Sequence, residues 1–152
     1  MIDNANAAAA ESALTTAYTN AAGLLSPAVL PTDLTNITFT PGLYDTASAV
    51  TLNAGAVTLD AQNEATAVFI FQIGSTFTAA AGTQIILVNG ASPKNVFWQV
   101  GSSATINSAA AWQGNIIAFT AISMGTDATL QGRAMARNGA VTLLSNKITV
   151  PQ

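Results

Sequence analysis

Phe71-Gln72-Ile73-Gly74 is answered 27 residues later by Trp98-Gln99-Val100-Gly101. Each copy is followed by a Ser/Thr-rich alternating segment, then a further segment, then a return to the starting pattern. Asn95-Val96-Phe97 resembles Asn115-Ile116-Ile117, 20 residues on, and Ile116 maps to Ala134 after a further 18. Working outward from Phe39, period-two segments recur: Val50-Thr51-Leu52, Val57-Thr58-Leu59, Phe77-Thr78-Ala79, Thr105-Ile106-Asn107, Ile122-Ser123-Met124, Ala128-Thr129-Leu130, Val141-Thr142-Leu143 and Ile148-Thr149-Val150. Glycine and asparagine separate them, which marks all-β structure. Irregular repeats of about 20 residues holding three short strands each are the requirement of a β-solenoid coil. The expected fold is an all-β right-handed β-solenoid of triangular coils, about five of them over 39–150, within a single domain spanning 1–152.

The stretch before Phe39 reads differently. Leu14, Ala17, Tyr18, Ala21, Leu24 and Leu25 recur at three- and four-residue steps, so one long α-helix is expected over 4–25. Asp3 or Asn4 would cap it, and Gly23 and Pro27 would end it. This helix has a place to pack. Val68-Phe69-Ile70-Phe71, Val96-Phe97-Trp98, Ile116-Ile117-Ala118-Phe119 and Ala134-Met135-Ala136 are apolar on both sides, and such strands must be covered on both sides. The Leu14–Tyr18–Leu25 stripe is therefore expected along the outside of that face.

The next face in chain order alternates cleanly. Val50, Phe77, Ala104, Ile122 and Val141 are expected to point inward, and Thr51, Thr78, Thr105, Ser123 and Thr142 outward, at separations of 27, 27, 18 and 19 residues. A flanking outward column holds Ala49, Thr76, Ser103, Ala121 and Ala140, and a third holds Asn53, Ala80, Asn107 and Gly125. No charge and no large side chain enters these columns before Leu144. The third face, with Thr58, Thr129 and Thr149 beside Gln84, Gln113, Gln131 and Lys147, reads as ordinary solvated surface.

Composition narrows the function. Only 7% of the 152 residues are charged, against roughly 25% in an average domain. The net charge is −3 and the only cations are Lys94, Arg133, Arg137 and Lys147, which argues against nucleic acid as a partner. Cysteine and histidine are both absent. That removes thiolate chemistry, the commonest metal ligands and the usual neutral-pH base, so neither cofactor nor metal is expected. No apolar run approaches the roughly 20 residues of a membrane span. Met1-Ile2-Asp3 has neither the cationic nor the apolar part of a secretory leader. Asp45, Asp60, Glu64 and Asp127 are expected in turns, and no carboxylate pair sits at two-residue spacing on one strand. An enzyme of the polysaccharide lyase or hydrolase type is therefore not expected.

Stacked strands repeat every ~4.8 Å, and alternate residues along a strand every ~6.8 Å. A face with one hydroxyl per coil is thus a nearly level grid, with repeats close to oxygen spacings in ice. Threonine has few rotamers, so little entropy is lost when water is ordered on it. Its methyl and hydroxyl together can hold bridging waters in place. Threonine ladders also stabilise sheets without binding anything; the absence of charge and bulk over the whole face points to a ligand, ice or ordered water. The candidate binding residues are Thr51, Asn53, Thr76, Thr78, Ser103, Thr105, Asn107, Ala121, Ser123, Ala140 and Thr142. The alternative is a structural or adhesive module stacking on carbohydrate or protein. Such sites use exposed aromatics, whereas Trp98 and Trp112 are expected in the core or at the helix interface.

Thr16-Ala17-Tyr18-Thr19-Asn20-Ala21-Ala22-Gly23, Pro41-Gly42-Leu43-Tyr44, Phe69-Ile70-Phe71-Gln72-Ile73, Lys94-Asn95-Val96-Phe97-Trp98-Gln99-Val100 and Gly132-Arg133-Ala134 run in order along almost the whole chain. In these motifs it resembles the secreted microbial ice-binding (antifreeze) proteins, built on a discontinuous β-solenoid with a flanking helix. The resemblance implies an extracellular protein that adsorbs to ice through a Thr/Ser/Ala/Asn-rich face and inhibits growth or recrystallisation, although the face used varies within that family. Family members carry several dozen residues before the helix, where this sequence begins at it.

A 22-residue helix would be about 33 Å long, while five coils span roughly 19 Å. The Asn4 end is thus expected to overhang the last coil. Residues 140–150 would then present an open edge, so that either the sequence is a fragment or self-association with a partner chain supplies the missing coils. Arg133 and Arg137 fall near Asp3 or Glu11 if the helix runs antiparallel to coil order, and are otherwise solvated charges at an exposed end.

Overall fold

The computed structural model describes residues 28–64, 66–144 and 146–149. The described residues wind through six stacked turns, or rungs, that build three parallel sheets. Rung one is abbreviated: β1 (Ala28–Val29), a single bridge residue at Asp33, and β2 (Thr38–Phe39). Rung two holds β3 (Gly42–Thr46), β4 (Val50–Leu52) and β5 (Ala56–Asp60). Rung three holds β6 (Phe69–Ile73), β7 (Phe77–Ala79) and β8 (Gln84–Val88). A 3-10 turn at Pro93–Asn95 leads into rung four, β9 (Val96–Val100), β10 (Ala104–Ile106) and β11 (Ala111–Gln113). Rung five is β12 (Asn115–Ala118), β13 (Ile122–Met124) and β14 (Thr129–Gln131). Rung six is β15 (Ala134–Ala136), β16 (Val141–Thr142) and β17 (Lys147–Thr149). The sheet orders are β1-β3-β6-β9-β12-β15, β16-β13-β10-β7-β4 and β17-β14-β11-β8-β5-β2.

This architecture corrects the expected fold class. The described residues form a purely β structure of three parallel sheets with no α-helix among them, and their one helical turn is Pro93–Asn95. Turns interrupt the chain after strands of two to five residues, so no described stretch sustains the 3.6-residue period long enough to helicise. The stretch 4–25, the Leu14–Tyr18–Leu25 stripe and the pairing of Arg133 and Arg137 with Asp3 or Glu11 all lie outside the described residues. Among the described residues the solenoid strands are already present at Ala28, ahead of Phe39, and form six rungs where about five were expected. A smaller correction concerns register: Asn115 pairs with Phe97, not Asn95, so the repeat here is 18 residues and not 20. Asp45 and Asp60 lie in β3 and β5 rather than in turns.

Alternation within each strand sends one row of side chains inward. Tyr44, Phe71 and Trp98 occupy the same column of the first sheet on consecutive rungs. Tyr44 and Phe71 stack with ring centroids 5.5 Å apart, and Phe71 and Trp98 at 4.2 Å. The column continues as Ile116 and then Ala134. Opposite sheets compensate for these changes in volume. Rung four sets the small Ala104 against two tryptophans, Trp98 and Trp112, whose rings approach to 5.0 Å, whereas rung five uses Ile116, Ile122 and Leu130, all buried. Each rung thus fills its cross-section with a different combination, as close packing requires. Trp98 Nε1 donates to the Gln113 carbonyl at 3.0 Å, which satisfies its polar end.

A second buried cluster, Leu43, Ile70 and Phe97 with Val68 against it, lies on the outward side of the first sheet. Glycine is obligatory at one close approach. A Cβ on Gly132 would stand 1.9 Å from the Gly114 carbonyl oxygen, and its φ is +151°.

Candidate functional site

The middle sheet, β4, β7, β10, β13 and β16, aligns Thr51, Thr78, Thr105, Ser123 and Thr142 in direct register, one per rung. Each is held from beneath by its strand neighbours. Val50 and Leu52, Phe77 and Ala79, Ala104 and Ile106, and Ile122 and Met124 are all buried. Support weakens at the end, where Val141 is half-buried and Leu143 is 46% exposed. Thr51, Thr78 and Thr105 are half-buried and Ser123 and Thr142 exposed, so the column faces outward throughout.

Ala49, Thr76, Ser103, Ala121 and Ala140 immediately precede the inward residues and form the neighbouring outward column. Backbone bonds tie its rungs together: Val50 N to Thr76 O at 3.0 Å, Phe77 N to Ser103 O at 3.0 Å, Ala104 N to Ala121 O at 2.9 Å and Ile122 N to Ala140 O at 3.1 Å. On the other side, Ala80 N donates to Leu52 O, Asn107 N to Ala79 O and Gly125 N to Ile106 O, which aligns Asn53, Ala80, Asn107 and Gly125. Asn53 Nδ2 donates to Thr51 Oγ1 at 3.1 Å, and Asn107 Nδ2 to the Ala79 carbonyl at 2.8 Å. Both amides are thereby fixed in orientation. The hydroxyls of Thr78, Thr105, Ser123 and Thr142 have no partner among the described residues, which leaves them for water.

Sequence reading missed one member of this surface. Asp33 bridges to Thr51 in parallel, so a carboxylate heads the central column and the face is not free of charge up to Leu144 as expected. Two hydrogen bonds from Thr35, amide at 3.0 Å and hydroxyl at 2.6 Å, reach Asp33 Oδ1. The Thr35 hydroxyl bond, ahead of the amide bond, lowers the Asp33 pKa from its usual 3.8. The signal was present: Asp33-Leu34-Thr35 repeats the form of Thr51-Leu52-Asn53, and Leu34 is as fully buried as Leu52.

The other two surfaces differ in kind. The third sheet mixes Thr58 with Ile86, and Gln84, Ala111, Thr129 and Lys147 in the adjacent column. Ile86 is 38% exposed. At a corner of this sheet, Asp60 accepts from Asn89 Nδ2 at 2.9 Å, and this bond, with the Gln62 amide, holds its pKa down. On the first sheet, Gln72 Nε2 donates to Gln99 Oε1 at 3.0 Å within a groove of about 420 Å³ bordered by Asp45, Phe119 and Arg137. Trp98 and Trp112 are buried. Among the described residues no group of three or more Asp, Glu, His or Cys could hold a metal, and no helix is long and apolar enough to cross a membrane.

On this three-sheet solenoid the middle sheet presents a run of small uncharged side chains from Thr51 to Thr142, headed by Asp33. The chain matches the Ice-binding-like family over residues 1–149 and belongs to it. It is 44% identical over 136 residues to the ice-binding protein of Nostoc sp. (strain HG1), a match covering 88% of this chain and 50% of the relative. With the ice-binding protein of Flavobacterium frigoris (strain PS1) it shares 38% identity over 139 residues, 90% of this chain and 49% of the relative. The crystal structure of the ice-binding protein from Antarctomyces psychrotrophicus superposes with a TM-score of 0.84 at 38% identity, over 99% of this chain and 73% of that one. The DUF3494 domain of Shewanella frigidimarina ice-binding protein 1 gives 0.83 at 36%, over 85% and 54%. The chain spans about half the length, or less, of the curated relatives it matches.

Proposed function

We propose that the protein adsorbs to ice through the middle sheet and there inhibits crystal growth or recrystallisation. The observation that carries this reading is the in-register column Thr51–Thr78–Thr105–Ser123–Thr142, four of whose hydroxyls have no partner among the described residues. Thr76, Ser103, Ala121 and Ala140 on one side and Asn53 and Asn107 on the other keep the surface small and uncharged around it. Parallel pairing sets the hydroxyls at about the strand spacing of 4.8 Å. Buried neighbours lock the backbone at Thr51, Thr78, Thr105 and Ser123, so waters held on the grid lose little further freedom when they join the lattice. Growth then stops where the protein sits. The relatives named above are ice-binding proteins, and two groups of features support the middle sheet over its neighbours. The third sheet carries Lys147, long amides and Ile86, while the first has a mixed column of Asp45, Gln72 and Gln99.

No cofactor and no catalytic group enters this mechanism. We place the protein outside the cell, where ice forms, and assign residues 140–150 to self-association. Among the described residues β16 is an edge strand, and Leu143 and Leu144 are 46% and 54% exposed. A monomer mass at all working concentrations would remove the latter assignment.

The test is a pair of bulky substitutions. Thr105→Tyr places a ring at the centre of the column and should abolish inhibition of ice growth with little change in melting temperature. Thr129→Tyr, on the third sheet, should leave inhibition intact. Equal effects from both would show that another surface binds.

A further inference from the structure

We propose that the ice-contacting surface extends one rung beyond the hydroxyl column, with Asp33 and Thr35 as its terminal binding residues; this rests on the middle sheet being the ice-facing one. The backbone at Asp33 is part of that sheet in all but length. Thr51 N donates to Thr32 O at 2.8 Å and Leu34 N to Thr51 O at 2.9 Å, the two bonds that bracket a parallel bridge residue. Leu34 below it is completely buried, as Leu52 is beneath Thr51 and Asn53. Asp33 therefore points outward in the Thr51 column, and Thr35 falls in the Asn53 column.

Side chains knit this rung to the next. Thr35 Oγ1 donates to Asp33 Oδ1 at 2.6 Å and accepts from the Asn53 amide at 3.3 Å. Asn53 Nδ2 in turn donates to Thr51 Oγ1, which donates to the Thr32 carbonyl at 3.3 Å. One carboxylate oxygen is occupied and oriented by this network. Thr35 and, less strongly, Asn53 hydrogen-bond to the Asp33 carboxylate, and Asp33 is exposed, so the carboxylate is an oriented acceptor bordering whatever water lies over the face. The ligand it takes is the same as that of the hydroxyls, an ordered water layer. The chemistry differs in one respect: a carboxylate only accepts, whereas threonine both donates and accepts. Asp33 thus orders the waters at the rim with their hydrogens toward the protein.

Recrystallisation inhibition by the full chain provides the test, with melting temperature followed in parallel and Thr105→Tyr as reference. Asp33→Tyr should raise the concentration needed for inhibition by about tenfold, because a ring at the rim lifts the adjoining rungs off the crystal. Asp33→Thr continues the hydroxyl column and, by replacing the one charged member, should lower that concentration about twofold. If Asp33→Tyr fails to fold, Asp33→Thr decides the matter alone. Unchanged inhibition in folded Asp33 variants, with Thr105→Tyr inactive, overturns the extra rung and leaves the face standing. Inhibition that survives Thr105→Tyr overturns the face, and the rung with it.

Discussion

At the scale of single residues, the core depends on a few side chains whose loss has a definite cost. Trp98 is fully buried, stacks on Phe71 at 4.2 Å and closes on Trp112 and Phe77. Trp98→Ala is expected to destabilise by about 3–5 kcal/mol, since neighbours in a rung locked by parallel pairing can collapse only partly into the space. Chemical denaturation measures this. Gly132→Ala meets a different obstacle, the Gly114 carbonyl, and should cost about 1–3 kcal/mol through overpacking. Trp98 was legible as an interior residue because it sits beside Val96 and Phe97 in a repeated motif, and it is buried. Asp33 was harder to read, because its one signal, the likeness of Asp33-Leu34-Thr35 to Thr51-Leu52-Asn53, covers a lone bridge residue between turns and gains meaning only once the rungs stack.

At the scale of elements, the two-residue period fixed which side chains of β4, β7, β10, β13 and β16 face out, and the spacing of 27, 27, 18 and 19 fixed their register. A slip of one residue would have buried every threonine. The local match of Asn95 to Asn115 misled by two residues because it compared side-chain types, whereas pairing is set by the inward column Trp98–Ile116–Ala134. Turn chemistry concealed the first rung: β1 and β2 are two residues each, too short for alternation to show. The helical stripe over 4–25 is a periodicity on residues that the structure does not describe, and the described fold is wholly β apart from one 3-10 turn.

At the scale of the whole molecule, the shortage of charge makes the protein indifferent to pH over a wide range. No histidine is present, and among the described residues the shifted carboxylates, Asp33 and Asp60, both lie below their usual 3.8 through hydrogen bonds from Thr35 and from Asn89. A depressed folded-state pKa adds stability that is complete above the unfolded value and lost as pH falls through the folded one. Melting temperature and ice affinity are therefore expected to be level from about pH 5 to about pH 8, with loss only below the ordinary carboxylate range. Thermal melts across pH check this; a transition near neutrality would contradict it.

The most direct trial of the central claim is partition of the purified chain between a slowly growing ice front and the remaining liquid. Adsorption through the middle sheet predicts enrichment in the ice over a non-binding protein of equal size, and loss of that enrichment in Thr105→Tyr but not in Thr129→Tyr. Exclusion of the parent chain into the liquid, at the level of an inert solute, would contradict the account.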